Sequence, residues 1–169
     1  MDELAKELES HRVTSVFCYS HEAHPGEHYP HHTSFEQKMA HARALRDVIG
    51  VRRPILVDAL TGDCHRAYGS MPNMCWIFGR GGLVVYKADW TDVTSVHSAA
   101  VDLLGIVARR KKDRAVYGSF HVQRLEYRPN NPQGFVDGLK RNGPRAVAEW
   151  DAQVERWQAE HRAAQESDG

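Results

Sequence analysis

The sequence predicts an α/β fold, a sheet flanked by helices, with a helical extension at the C-terminal end. Three observations carry this. Short runs rich in β-branched and aromatic residues alternate with segments of helical spacing. A glycine-rich turn, Gly79-Arg80-Gly81-Gly82, separates two of those runs. The last stretch keeps apolar residues three and four apart at Val147, Trp150, Val154 and Trp157.

Leu4, Ala5 and Leu8 line one face of a short first helix. Arg12 to Tyr19 reads as a buried strand because Val13, Val16, Phe17 and Tyr19 suit a pleated surface. A loop follows, Cys18 to His32, around which the chain is organised. It holds five of the eleven histidines, His21, His24, His28, His31 and His32, with Glu22, Glu27, Pro25, Pro30 and Gly26. Thr33 or Ser34 caps the next helix, and Gln37 stands where a capping box needs it. That helix spaces Phe35, Met39, Ala42, Leu45 and Val48 along one face and ends near Gly50. Ile55 to Asp58 is a short strand, and Gly62 to Gly69 holds two helical turns at most. Asn73 to Phe78 and Leu83 to Lys87 form a hairpin. A helix runs from Thr91 or Asp92 through Val96, Ala100, Leu103, Leu104 and Val107 into the basic run Arg109 to Arg114. Those cations complement a helix C-terminus. Ala115 to Tyr127 reads as strand or extended chain, followed by two helices that meet at Gly143-Pro144. The expected domains are residues 1–112 and a C-terminal extension, 113–169.

A chain of 169 residues suits one domain with an appendage. The 22 basic and 22 acidic residues balance, which argues against a broad surface for nucleic acid or anionic membrane. No apolar stretch approaches the roughly 20 residues of a membrane span. Three dispersed cysteines make no disulfide framework. The acidic, helical N-terminus lacks the pattern of a signal peptide, so a cytoplasmic location is expected.

The element order resembles that of a thioredoxin-like domain, with Pro72 in the place of that fold's cis-proline. Phe17-Cys18-Tyr19-Ser20-His21-Glu22-Ala23-His24-Pro25-Gly26-Glu27 is similar to the strand and Glu-Ala-His loop of iodothyronine deiodinases and their bacterial deiodinase-like relatives. Pro54 to Asp58, His65 to Gly69, Met71-Pro72-Asn73 and Gly81 to Tyr86 follow in the family's order, and Leu139 to Val147 resembles an extension of the bacterial relatives. The resemblance implies a preceding strand and a nucleophile-bearing loop that this sequence lacks, so the sheet is expected to be N-terminally truncated. It implies a gap between the strand at Val13–Tyr19 and the one at Asn73–Phe78. Direct pairing of those neighbours, insertion of Ala115–Tyr127, or a partner chain would fill it, and a homodimer is expected.

The resemblance gives Glu22 and His24 the role of a proton-handling pair, chemistry suited to a histidine beside a carboxylate. The simpler reading is that they cap the loop. Cys75 and Cys18 are the candidate thiols, with Cys64 behind them, although a free cysteine is as often a small buried hydrophobe. Tyr19, His21, Met71, Pro72 and Asn73 are the candidate substrate-contacting residues. No cofactor is expected. The alternative is zinc or another transition metal on His24, His28 and His32, with Cys18 or Glu27 in reserve, weighed against a merely solvated histidine cluster. Trp150 and Trp157 read as packing, with a binding box as the lesser reading.

Three functions follow as expectations. The first is a deiodinase-like or thioredoxin-like oxidoreductase working on a small molecule through a non-standard thiol with Glu22 and His24. The second is a non-redox protein that binds a small molecule or does acid–base chemistry on it. The third is a structural or regulatory subunit completed by a partner chain.

Overall fold

The structure, a computed structural model, describes residues 1–69, 71, 73–113, 122–123 and 131–167. Its order is α1 (Asp2–Glu9), β1 (Phe17–Tyr19), α2 (Phe35–Asp47), β2 (Ile55–Val57), α3 (Asp63–Tyr68), β3 (Cys75–Phe78), β4 (Val84–Ala88), α4 (Val93–Asp113), β5 (Val122–Gln123), α5 (Pro132–Asn142) and α6 (Pro144–Ser167). The chain divides into two compact units. One comprises Met1–Ser20 and Ala42–Pro129, the other His21–His41 and Asn130–Gly169. The histidine-rich segment, placed by the sequence with the N-terminal domain, therefore groups with the C-terminal helices.

In the first unit the core forms where α1 meets the hairpin and α4. Leu4 and Leu8 pack with Tyr86 and Ala88 of β4 and with Val96, Ala99 and Ala100 of α4. Burying such a leucine contributes about 1.5–3 kcal/mol. Asp2 ties α1 down: its carboxylate accepts from the Arg52 backbone N–H at 3.0 Å and from Arg53 Nε at 2.5 Å. The strand expected from Arg12 is shorter than its composition suggests. Arg12 takes a positive φ of 62°, and Val13 N–H still donates to Leu8 O, so this stretch belongs to the exit from α1.

β1 and β2 pair in parallel, Cys18 opposite Leu56 and Tyr19 opposite Val57. Alternation along β1 buries Tyr19 and exposes Cys18. β3 and β4 form the expected antiparallel hairpin across Arg80–Gly82, where Gly81 and Gly82 take φ of 79° and 81°, conformations that favour glycine. β5 adds to β4 in parallel. The described strands make two sheets, β1-β2 and β3-β4-β5, rather than one. Of Ala115–Tyr127, only Val122 and Gln123 are described, and they pair with β4 rather than filling a slot between β1 and β3. Pro72, with its expected cis bond, lies outside the described residues. The arrangement is thus mixed helix and strand with small sheets and flanking helices.

In the second unit the expected capping box closes the start of α2. Ser34 Oγ accepts from Gln37 N–H at 3.2 Å, and Thr33 N–H donates to Gln37 Oε1 at 2.8 Å. Asn131 caps α5 by accepting from Gly134 N–H. Among the described residues, no helix is long and apolar enough to cross a membrane.

Candidate functional site

The first unit brings two thiols together. Asp58, buried just after β2, donates its N–H to Tyr19 O and so extends the β1-β2 ladder. Its carboxylate accepts from the Cys64 and His65 N–H groups at 2.9 Å each. Those two hydrogen bonds to the start of α3 fix Cys64, whose Sγ lies 3.5 Å from Cys18 Sγ. Both are thiols rather than halves of a disulfide, Cys18 exposed and Cys64 partly so. A disulfide closes at about 2.05 Å, so the pair is in van der Waals contact and short of bonding. The sequence named Cys18 and ranked Cys64 low. Their separation of 46 residues escapes any local motif, and only Asp58, poised before a short helix, hinted at how Cys64 is held.

Cys75 is different. Burial pushes its thiol up to about 11, against the opposing pull of Arg53. It packs on the core as a hydrophobe and remains protonated at neutral pH. Of the expected substrate-contacting residues, Tyr19 is buried, while Met71 and Asn73 are exposed. Asn73 O accepts from both the N–H and Oγ1 of Thr91, which pins the entry to β3.

The second unit holds the histidine-rich loop against α5 and α6. Asn142 is the fastener. Its Nδ2 donates to His24 O at 2.7 Å, its Oδ1 accepts from Tyr29 N–H at 2.7 Å, and its backbone carbonyl accepts from His28 N–H. Glu27 accepts the Arg145 N–H with both carboxylate oxygens at the start of α6. Gly26 is buried here, and a Cβ at this position would overlap the Asn142 backbone carbonyl oxygen. A cavity of about 370 Å³ is lined by Pro25, Gly26, Pro30, His31, Arg145 and Glu149.

Glu22 and His24 take different partners. His24 sits edge-on to Phe135 and Trp150, with ring centroids 5.5 and 5.3 Å away. Burial lowers its pKa, and the Glu149 charge partly opposes that. Trp157 meets Trp150 edge-on at 5.8 Å, so the tryptophan stripe of α6 extends this aromatic cluster. Glu22 Oε1 instead lies 3.5 Å from Nδ1 of His41, which is only 9% exposed. His32 Nε2 lies 3.1 Å from the same nitrogen. Burial, followed by the charges of His41, Lys38, His21 and His31, holds the His32 imidazole down at about 4, so it is neutral at pH 7. Glu22, His32 and His41 thus form a set able to hold a metal ion. Of the metal candidates His24, His28 and His32, the fold brings only His32 to this set. His21 and His28 are exposed. Sequence reading missed His41 because it sits inside α2. Its signal is the helical spacing that puts Lys38, His41, Ala42 and Leu45 on one face.

No family model, curated protein or solved structure matches this chain.

Proposed function

We propose that this protein is a thioredoxin-like oxidoreductase of deiodinase-like ancestry whose working thiols are Cys18 and Cys64. The observation that carries the reading is the 3.5 Å separation of their sulfurs, one in the middle of β1 and the other on a helix clamped by Asp58. The order β1-α2-β2-α3-β3-β4-α4, with parallel β1-β2 and antiparallel β3-β4, supports the fold part of it.

The substrate class is a small-molecule disulfide, RSSR. The exposed Cys18 thiolate attacks one sulfur, forms a Cys18–S–S–R mixed disulfide and releases one thiolate. Cys64 then attacks Cys18 Sγ, closes the intramolecular disulfide and releases the second thiolate. Two protein thiols lose two electrons and two protons, and RSSR becomes two RSH. The reverse sequence reduces the protein. Cys75 takes no part, because its thiol stays protonated. The reading also includes a homodimer, in which a second copy lies along a strand edge.

Treatment of the full chain with glutathione disulfide, followed by peptide mapping, tests the thiol chemistry. A Cys18–Cys64 disulfide is expected in the wild type and in Cys75→Ser. A glutathione adduct trapped on Cys18 is expected in Cys64→Ser. Unchanged exchange in a Cys18→Ser/Cys64→Ser double variant sinks the proposal.

A further inference from the structure

The loop after β1 brings three side-chain donor atoms of two kinds to one point. Glu22 lies early in the loop, His32 at its end, and His41 within α2. His41 Nδ1 is 3.1 Å from His32 Nε2 and 3.5 Å from Glu22 Oε1, and the three atoms all lie within 4.8 Å of one another. Donors placed about 2.1 Å from a tetrahedral ion stand roughly 3.4 Å apart. Two of the three edges therefore already have the length of a coordination polyhedron's edge.

Proton arithmetic points the same way. A carboxylate oxygen only accepts, and each imidazole nitrogen carries either a proton or a lone pair. Within the trio, one proton on His41 Nδ1 or His32 Nε2 serves one pair of atoms well. A divalent cation engages all three at once.

The surroundings hold the donors in place. The Thr33, Ser34 and Gln37 capping box sets the corner between His32 and α2. The Tyr29 ring meets the His41 ring edge-on at 5.2 Å. Side-chain exposures of 10% for His41 and 21% for Glu22 keep the cluster largely out of water. Lys38, 2% exposed, acts on His32 with a charge that opposes a cation. The Glu22 carboxylate brings the opposite charge to the set.

We propose that Glu22, His32 and His41 bind one divalent transition-metal ion of the zinc type, with water in its remaining coordination positions. Two imidazoles and one carboxylate suit zinc and not magnesium or calcium, whose ligands are oxygens. A three-ligand set leaves the open position that zinc chemistry on a bound water or substrate oxygen requires. The site does not depend on the Cys18–Cys64 thiols.

The test uses the full chain, charged with Zn²⁺, freed of excess ion and measured by elemental analysis, with Co²⁺ titration followed by its visible absorption. One ion per chain is expected. Glu22→Gln, which preserves shape, and His32→Ala each weaken binding by at least about tenfold. A His28→Ala/His31→Ala control binds as the wild type does, with circular dichroism confirming that each variant is helical. A wild-type chain that retains no zinc overturns the proposal. So does undiminished affinity in both Glu22→Gln and His32→Ala, or loss of the ion in the control. A readout without variants is the ¹⁵N spectrum of the histidine rings. Zn²⁺ is expected to shift His32 and His41 before His28 and His31, and the opposite order overturns the site.

Discussion

Cys75 shows how one atom's surroundings override its place in the sequence. It follows the Met71-Pro72-Asn73 stretch and is, with Cys18, a thiol the sequence puts forward, yet burial keeps its sulfur protonated to about pH 11. The sign of the linkage follows from that direction. The folded chain holds this proton above the unfolded value of 9.0. The associated stability is therefore complete below pH 9.0 and is lost as pH rises toward 11. Urea unfolding is expected to show stability falling by up to about 1.4 kcal/mol per pH unit across that window. Cys75→Ala should remove this slope between pH 9.0 and 10.0; above 10.0 the Tyr86 phenol, pushed up to about 12 by burial, adds a slope of its own. An unchanged slope in Cys75→Ala would assign the proton elsewhere.

At the scale of elements, the histidine-rich loop owes its shape to the α5–α6 corner. Asn142 ends α5 and engages the loop at His24, His28 and Tyr29, while Gly26 leaves room for the Asn142 backbone. The loop's own sequence does not show this, since the partners are over a hundred residues away; the separation is 118 for His24 and Asn142. Asn142→Ala leaves the partly buried Tyr29 N–H and His24 C=O without these bonds. A loss on the order of 2 kcal/mol in urea unfolding is expected, with faster amide exchange at Tyr29. A change below about 0.5 kcal/mol would mean that water replaces the side chain, an exchange that costs little. The capping box of α2 and the β3-β4 hairpin, by contrast, were legible, because each rests on residues within a few positions of one another.

For the whole molecule, the chain divides into two units whose segments alternate along the sequence. The described strands leave β1 paired with β2 and β3 paired with β4, in separate sheets. Backbone groups along an open strand edge favour pairing with another chain. The proposed homodimer is checked by light scattering behind size exclusion. Its expected mass is about twice the 19.2 kDa of one chain, falling toward that value on dilution. A constant monomer mass at every concentration would remove the dimer from the reading.

By itself the sequence determined the kinds and order of the helices and strands, the hairpin, the helix caps, and a loop rich in titratable groups. Those features depend on neighbours within a turn or two. Tertiary structure decided which of the named residues meet. Cys18 found Cys64, Glu22 found His41, and His24 settled among Phe135 and Trp150. Such pairings depend on where whole elements pack, a balance of buried area against chain entropy that no local spacing encodes.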